Sequence, residues 1–219
     1  MTHVAVILSG CGYLDGAEIR ESVGVLWALS KRGVEVQMFA PDAPQPVVMN
    51  HLTQKANSDT RNMLNEAARI ARGKISPLSE LPDHEYEALI MPGGFGVAKN
   101  LCTFATDGAG GKILYSELER LIKSMYQDGR PIGAVCIAPA LVALALKSEK
   151  LELTLGAEGP GADELRKLGH THIVTKPNEI HIDAAHKIVT TPAYMYDEAP
   201  VHEVFEGIDA LVESVLGMV

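Results

Sequence analysis

The sequence predicts an α/β fold built on a largely parallel β-sheet. Short apolar, strand-like segments alternate with helix-like segments along the 219 residues, and turns rich in Gly, Pro and Asp separate them. A β-α-β unit opens the chain, and such a crossover joins parallel strands with a right-handed turn. No internal repeat and no Pro- or Ser-rich linker divides the sequence, so one domain over residues 1–219 is expected.

The first helix follows a strand over residues 3–8 and a turn of sequence SGCG. Asp15 is expected to cap the N terminus of this helix with its carboxylate. Apolar residues recur at a spacing of 3.6 residues, which predicts the face that packs into the core. That face consists of Ile19, Val23, Leu26, Trp27 and Ser30. Gly33 ends the helix, and residues 34–39 form the second strand.

The rest of the chain repeats the alternation. Further strands are predicted over residues 74–76, 88–91, 132–135, 151–155 and 187–191, with strand pieces near Ile173 and Ile180. Further helices are predicted over residues 58–72, 116–127, 140–146 and 162–168, and from about Val201 to the C terminus. Residues 44–57 are expected to be a loop. The glycine-rich residues 107–111 are expected to be flexible and to pass over the functional site.

The composition disfavours several classes of function. Asp and Glu number 28 against 19 Lys and Arg, and a net charge of −9 does not suit nucleic acid or an anionic membrane as a partner. The three cysteines include no CxxC pair, and neither HExxH nor GxGxxG nor GxxxxGK[ST] occurs. No metal and no nucleotide cofactor is therefore expected. Without an apolar run of about 18 residues or a basic leader, the chain is expected to be soluble and cytoplasmic.

Cys136 is the strongest candidate for a catalytic residue. It follows the apolar strand 132–135 and precedes a predicted helix, and its neighbours two positions away are Ala134 and Ala138. This is a relaxed form of the nucleophile elbow, a sharp strand-to-helix turn that needs small neighbours. The unpaired N–H groups and the dipole of the helix N terminus are expected to lower the pKa of the thiol. The alternative is a buried cysteine that only packs as a small hydrophobe.

Two further segments are predicted to meet Cys136 at the carboxyl ends of the parallel strands. Residues 92–96 (PGGFG) follow strand 88–91, and their glycines let backbone N–H groups bind an oxyanion. The candidate donors are Gly93, Gly94, Phe95 and Ile137. Glu18 follows the first strand and is the candidate acid that pairs with the thiol or moves protons. The alternatives are a plain turn for the glycines and a solvated first-turn acid for Glu18.

These segments together resemble the ElbB proteins, isoprenoid-biosynthesis proteins with an amidotransferase-like domain that belong to the ThiJ/PfpI superfamily. The matching segments are residues 7–12 (ILSGCG), 15–19 (DGAEI), 50–53 (NHLT), 92–100 (PGGFGVAKN), 136–140 (CIAPA) and 190–195 (TTPAYM). The resemblance extends from Val4 to about Leu211. It implies a flavodoxin-like three-layer sandwich, with a mostly parallel sheet and helices on both faces, as in class I glutamine amidotransferases.

The resemblance also implies a function. By this resemblance, the protein is expected to be a cofactor-free, glutathione-independent glyoxalase, which is a lyase that converts glyoxal to glycolate. The resemblance implies Cys136 as the elbow nucleophile and Glu18 as its partner acid. A small dicarbonyl is then the substrate, and a homodimer is the implied assembly. Two departures disfavour peptidase and amidotransferase activities. Ile137 stands where protease-like members have histidine, and none of the eight histidines starts a His-x-Glu pattern.

Two other functions stay open. In one, the protein is a non-enzymatic redox or stress sensor whose Cys136 is oxidised to sulfinic acid beside Glu18. In the other, it acts on a larger, unidentified metabolite, and glyoxal is an incidental substrate. The family name links such a metabolite to isoprenoid metabolism, although no residue encodes a prenyl pocket.

Overall fold

A seven-stranded sheet forms the middle layer of the protein. The computed structural model describes residues 2–82 and 85–219. The strands, including four that lie outside this sheet, are β1 (His3–Ile7), β2 (Glu35–Ala40), β3 (Val48–Asn50), β4 (Lys55–Asn57), β5 (Ser76–Pro77), β6 (Ala88–Met91), β7 (Ile132–Val135), β8 (Glu152–Leu153), β9 (Thr171–His172), β10 (His181–Asp183) and β11 (Ile188–Thr191). The main sheet has the order β10-β11-β7-β6-β1-β2-β5, and only the β10–β11 pair in it is antiparallel. β3 pairs with β4, and β8 pairs with β9.

Helices cover both faces of the main sheet. They are α1 (Ile19–Lys31), α2 (Met63–Ile70), α3 (Phe104–Asp107), α4 (Ser116–Gln127), α5 (Ala138–Ala145), α6 (Pro160–Lys167) and α7 (Val201–Leu216). Alternate residues of β1 enter different cores. Val4 and Val6 pack with α1 and α7, whereas Ala5 and Ile7 pack with α4 and α5. The predicted three-layer sandwich with a mostly parallel sheet is therefore confirmed.

Several elements lie where the sequence pattern places them. The predicted helix 116–127 and the predicted strands 88–91 and 132–135 are α4, β6 and β7 with the same bounds, and α7 begins at Val201. These segments combine strong periodicity, or a continuous apolar run, with a clear stop signal after them. Sequence reasoning is most reliable where both signals coincide.

The predicted core face of α1 is wrong. Ile19, Val23 and Trp27 are 46%, 45% and 46% exposed. Buried instead are Glu21, Ser22, Gly24, Val25, Ala28 and Leu29. The small residues on this side let α7 approach closely, since a Cβ at Gly24 would lie 3.2 Å from Ile208. Periodicity detected an apolar face, but close helix packing selected the face with small residues.

Asp15 does not cap α1, and residues 44–57 are not a simple loop. The cap is Glu18, whose carboxylate accepts the backbone N–H of Glu21 at 2.6 Å. Asp15 is instead 3% exposed and accepts the backbone N–H of Met49 at 2.6 Å. This bond ties the β3–β4 hairpin to the loop that precedes α1. Each strand of the hairpin has only three residues, too few for a detectable alternation.

Two other segments differ from the prediction. α2 begins at Met63, later than predicted, because the Asn62 side chain caps it there. Residues 107–111 do not line the site but are held against α6, where Glu164 accepts the backbone N–H of Ala109 at 2.7 Å. The glycines that suggested flexibility instead permit a close approach to α6, because a Cβ on the first of them would collide with the Glu164 side chain.

Candidate active site

Cys136 stands on the elbow between β7 and α5. Its φ of +61° lies in the left-handed region, a strained conformation for a residue that carries a side chain. Its backbone N–H donates to the carbonyl of Thr191 at 2.9 Å, which ties the elbow to the end of β11. The residue is 7% exposed and lies at the floor of a cleft at the carboxyl ends of the strands.

The acid beside Cys136 is Glu21, in the first turn of α1. Its side chain is fully buried, and the Cys136 thiol donates a hydrogen bond to its carboxyl group. The carboxyl oxygens also accept the backbone N–H of Gly93 at 2.9 Å and that of Tyr194 at 3.2 Å. Glu21 therefore holds three segments around the thiol: the start of α1, the loop after β6 and the segment after β11.

Glu18, the acid predicted to pair with Cys136, has a different place. Its carboxylate caps α1, and its side chain lines the cleft. The prediction rests on the position of Glu18 directly after the first strand, whereas the acid in contact with the thiol is Glu21, one turn farther along α1. Glu21 shares the buried face with Val25 and Ala28. A carboxylate on a buried helix face was the signal in the sequence that could have identified it.

The electrostatics of the pair differ from those of an activated thiolate. Burial raises the pKa of the Cys136 thiol well above its ordinary value, and the Glu21 carboxylate raises it further. Backbone N–H groups of Gly94 and Ile137 act in the opposite direction. Burial, and then the charge of Glu18, raise the pKa of Glu21 to about 8. Near neutral pH the resting pair therefore keeps its protons, in contrast to the predicted thiolate.

The four predicted oxyanion donors divide into two groups. Gly94 and Ile137 direct their backbone N–H groups to the sulfur of Cys136. The N–H of Gly93 is already bonded to a carboxylate, and that of Phe95 donates to a backbone carbonyl at 2.8 Å. Gly94 has a φ of +97°, and a Cβ there would collide with the backbone of the loop before α1. Only glycine fits this position.

The cleft above the pair has a volume of about 850 Å³. Its walls come from the loop before α1, the start of α1, the β3–β4 hairpin, the loop after β6, the elbow and the segment after β11. The lining residues are Tyr13, Leu14, Glu18, Ile19, Arg20, Gln54, Gly94, Phe95, Cys136, Ile137, Tyr194, Met195, Asp197 and Glu198. Aromatic and aliphatic side chains form much of this lining, as is typical of a site for an organic ligand.

No histidine lines the cleft in the described part of the chain. His170 and His172 are buried, and they accept the backbone N–H groups of Leu151 at 3.3 Å and Leu155 at 3.1 Å. Burial lowers the pKa of both imidazoles. These contacts give the two histidines a structural role. Within residues 2–82 and 85–219, no group of three or more His, Cys, Asp or Glu is placed to hold a metal ion.

Comparisons with known proteins decide the family. The chain is 46% identical over 224 residues to human glutamine amidotransferase-like class 1 domain-containing protein 3, mitochondrial, and the match covers 98% of this chain and 82% of that protein. A crystal structure of an isoprenoid biosynthesis protein with amidotransferase-like domain from Ehrlichia chaffeensis is 35% identical, with a TM-score of 0.92 and coverage of 100% of this chain and 99% of that chain. The chain belongs to the ElbB family. No model of an established protein family matches the sequence.

More distant structures share the fold of this chain. Glyoxalase III from Candida albicans has a TM-score of 0.62 at 16% identity, and the match covers 99% of this chain and 97% of that one. At this identity the likeness shows a shared fold. The amidotransferase-like, ThiJ/PfpI-type architecture implied by the sequence resemblance is therefore confirmed.

The predicted cytoplasmic location is only partly supported. The name of the human relative places that protein in mitochondria, which does not fit a purely cytoplasmic location. None of the helices in the described residues is long and apolar enough to cross a membrane.

Proposed function

We propose that the protein is a cofactor-free glyoxalase-type lyase that converts a small dicarbonyl, such as glyoxal, to a hydroxy acid, such as glycolate. The observation that carries this proposal is the hydrogen-bonded pair of Cys136 and Glu21 at the floor of an open cleft. A thiol and a base in contact are the minimum set for nucleophilic attack on a carbonyl. The fold shared with a glyoxalase III supports the same reaction class.

The first chemical step is addition of the thiol to an aldehyde. The ionised fraction of Glu21, which grows as the pH approaches 8, is the active form. In this form the sulfur of Cys136 bonds to the aldehyde carbon, the Glu21 carboxylate takes the thiol proton, and the carbonyl oxygen becomes an alkoxide that is then protonated to a hemithioacetal. A base with a pKa of about 8 suits proton transfer near neutral pH. The N–H groups of Gly94 and Ile137, which surround the sulfur, are the donors nearest to the developing alkoxide.

The second step is an internal redox reaction. A carboxylate removes the proton from the hemithioacetal carbon, and an enediol forms with the neighbouring carbonyl. Reprotonation on the neighbouring carbon gives a thioester, which water hydrolyses to the hydroxy acid and the free thiol. One carbon is oxidised and its neighbour reduced, so no external oxidant or reductant is required. Glu18 lines the cleft beside the pair, and we assign it the relay of protons between Glu21 and the substrate.

The test is turnover of glyoxal by Cys136→Ser and Glu21→Gln, with glycolate detected by proton NMR. Both variants should lose most of the activity, whereas Cys11→Ser and Cys102→Ala should keep it. In D₂O, glycolate should carry deuterium on its CH₂ carbon, because the transferred proton exchanges on a carboxylate. Full turnover by Cys136→Ser would overturn the proposal. Unlabelled glycolate would indicate that the hydrogen moves by a hydride shift and not through an enediol.

The redox-sensor alternative is less well supported. Sensor cysteines need thiolate character and exposure to oxidants. Burial and Glu21 both raise the pKa of the Cys136 thiol, and the residue is 7% exposed. The larger-metabolite alternative is compatible with the volume of the cleft.

A homodimer is part of the proposal. An apolar surface, here called the α1–α7 stripe, is formed by two helices. It consists of Ile19, Val23 and Trp27 on α1 and Val201 and Phe205 on α7. The Trp27 and Phe205 rings in it are 6.0 Å apart. A two-fold contact between two such surfaces buries them both. Because Ile19 also lines the cleft, the second copy then lies beside the cleft mouth.

The cytoplasm is the location proposed from the sequence. The mitochondrial name of the human relative makes a mitochondrial location the alternative. Subcellular fractionation with antibodies to the native protein distinguishes the two compartments.

A further inference from the structure

The cleft is much larger than glyoxal requires. Its volume of about 850 Å³ falls within the range of roughly 300–1,000 Å³ that holds drug-sized ligands. Glyoxal, the smallest dialdehyde, fills only the part that adjoins Cys136. Most of the lining residues therefore have no role in binding it, although they form a continuous wall.

The walls of the cleft are apolar and held in place. Tyr13, Phe95 and Met195 are 37%, 47% and 37% exposed, an unusual concentration of large apolar side chains at one opening. The ammonium group of Lys99 lies 4.8 Å from the centre of the Phe95 ring, and the Tyr194 hydroxyl accepts a hydrogen bond from Arg20 at 3.1 Å. These contacts hold two aromatic rings in place in the wall of the cleft, and a flat or bulky group can pack beside them.

The charge of the cleft favours one kind of substrate. Glu18, Asp197 and Glu198 line it, and the single cationic lining residue is Arg20 among the residues described. The guanidinium of Arg20 is engaged by the hydroxyl and the ring face of Tyr194. A carboxylate or phosphate on the substrate would therefore meet an excess of negative charge, because Arg20 is engaged by Tyr194 and the Lys99 ammonium group lies over the Phe95 ring.

We infer that the substrate is a 2-oxoaldehyde with a bulky apolar or aromatic group on its ketone carbon and no negative charge. The aldehyde carbon meets the sulfur of Cys136, and the apolar group lies between the Phe95 and Tyr194 walls. This inference rests on the proposed glyoxalase function and specifies the substrate class of the same site. Specificity then comes from the walls, while the chemistry comes from Cys136 and Glu21.

The experiment compares kcat/KM for glyoxal, phenylglyoxal and 4-carboxyphenylglyoxal from initial rates, read before these reagents modify arginine side chains such as Arg20. Phenylglyoxal should exceed glyoxal by at least about 10-fold, the usual effect of filling a hydrophobic pocket with additional carbon atoms. The carboxylated analogue should fall below phenylglyoxal by a similar factor. Cys136→Ser should abolish turnover of all three compounds.

Two sets of variants separate recognition from intrinsic reactivity of the compounds. Phe95→Ala should lower the ratio of phenylglyoxal to glyoxal, whereas Leu114→Ala, an exposed apolar residue outside the cleft, should leave the ratio unchanged. The double variant Asp197→Asn, Glu198→Gln should raise the ratio of the carboxylated analogue to phenylglyoxal.

The outcomes distinguish the inference from the function on which it rests. If Cys136 is required for glyoxal turnover but phenylglyoxal is no better, or Phe95→Ala leaves the ratio unchanged, the inferred substrate class is wrong and the glyoxalase proposal stands. If none of the three compounds is turned over, the glyoxalase proposal fails and the inference fails with it.

Discussion

The backbone N–H of Gly93 donates to the buried carboxyl group of Glu21 at 2.9 Å, next to Cys136. This bond connects the loop after β6 to the first turn of α1. A Cβ at position 93 would overlap the Cβ of Cys136 and lie 2.7 Å from the carboxyl oxygen of Glu21. The absence of a side chain at Gly93 is therefore what allows the thiol and the acid to share one buried space.

The first prediction concerns Gly93→Ala. The added methyl group must displace the Cys136 or Glu21 side chain, and such overpacking typically costs about 1–3 kcal/mol of stability. We expect a lower urea midpoint and a loss of glyoxal turnover. The matched control is Gly110→Ala, because no atom lies within 4 Å of the Cβ position there and its φ is not in the left-handed region. Equal urea midpoints and equal turnover in the two variants would show that the neighbours of Gly93 move aside without a cost in stability or activity.

The second prediction concerns the pH dependence of stability. Burial raises the pKa of Glu21 from 4.5 to about 8, so the folded state binds a proton that the unfolded state releases. This stabilising contribution is complete below pH 4.5 and is lost as the pH rises through about 8. Between pH 7 and 8 the free energy of unfolding should therefore fall by roughly 1 kcal/mol.

Glu21→Gln tests the origin of that fall. Because its side chain does not titrate, urea unfolding of this variant should show a smaller loss of stability between pH 7 and 8. The glutamine amide places one N–H where the carboxyl group accepts a bond, so the variant should also be less stable at pH 7. Glu117→Gln, on α4 across the sheet, should keep the wild-type slope. A wild-type slope in Glu21→Gln would mean that Glu21 is already ionised in the fold.

The sequence predicts the positions of Cys136 and the glycine loop better than it predicts which acid lies beside the thiol. The elbow at Cys136 and the glycine loop are set by local chain geometry, which small residues and strand ends reveal. The pairing with Glu21 depends on which face of α1 turns inward, and that choice is made by α7. Gly24 permits the close approach of Ile208, and this long-range contact leaves no periodic signal in α1 itself. Proximity to the strand end points to Glu18 instead, and that proximity carries no information on how the helix is oriented.

The third prediction concerns Glu18→Gln. The negative charge of Glu18 is, after burial, the second cause that raises the pKa of Glu21. Glutamine removes the charge but can still accept the α1 backbone N–H, so the helix should remain capped. The rising limb of kcat/KM against pH, which follows ionisation of Glu21, should shift to lower pH.

A second readout of the same variant tests the proton relay. If Glu18 carries protons as proposed, kcat of Glu18→Gln should also fall by roughly 10²–10⁴-fold, the usual loss for a general acid–base. A shifted limb with an unchanged kcat would leave Glu18 an electrostatic role alone. An unshifted limb would contradict the coupling between the two acids, and Glu117→Gln supplies the unshifted reference.

The last prediction concerns the α1–α7 stripe and the assembly. The sequence pattern marked Ile19, Val23 and Trp27 as a buried face, and the single chain leaves them about half exposed. Burial against a second copy reconciles the pattern with the structure, because an interface core selects apolar residues as a domain core does.

Static light scattering should give a mass of twice 23.5 kDa for the wild type and 23.5 kDa for Val23→Asp. Leu114→Asp introduces the same charge at an apolar residue that is 42% exposed beside α4, on the opposite side of the sheet, and should remain dimeric. A monomeric wild type at tens of micromolar, or a dimer that survives Val23→Asp, would exclude the stripe as the contact. Because Ile19 also lines the cleft, the monomeric variant should show a raised KM for phenylglyoxal while its kcat changes little.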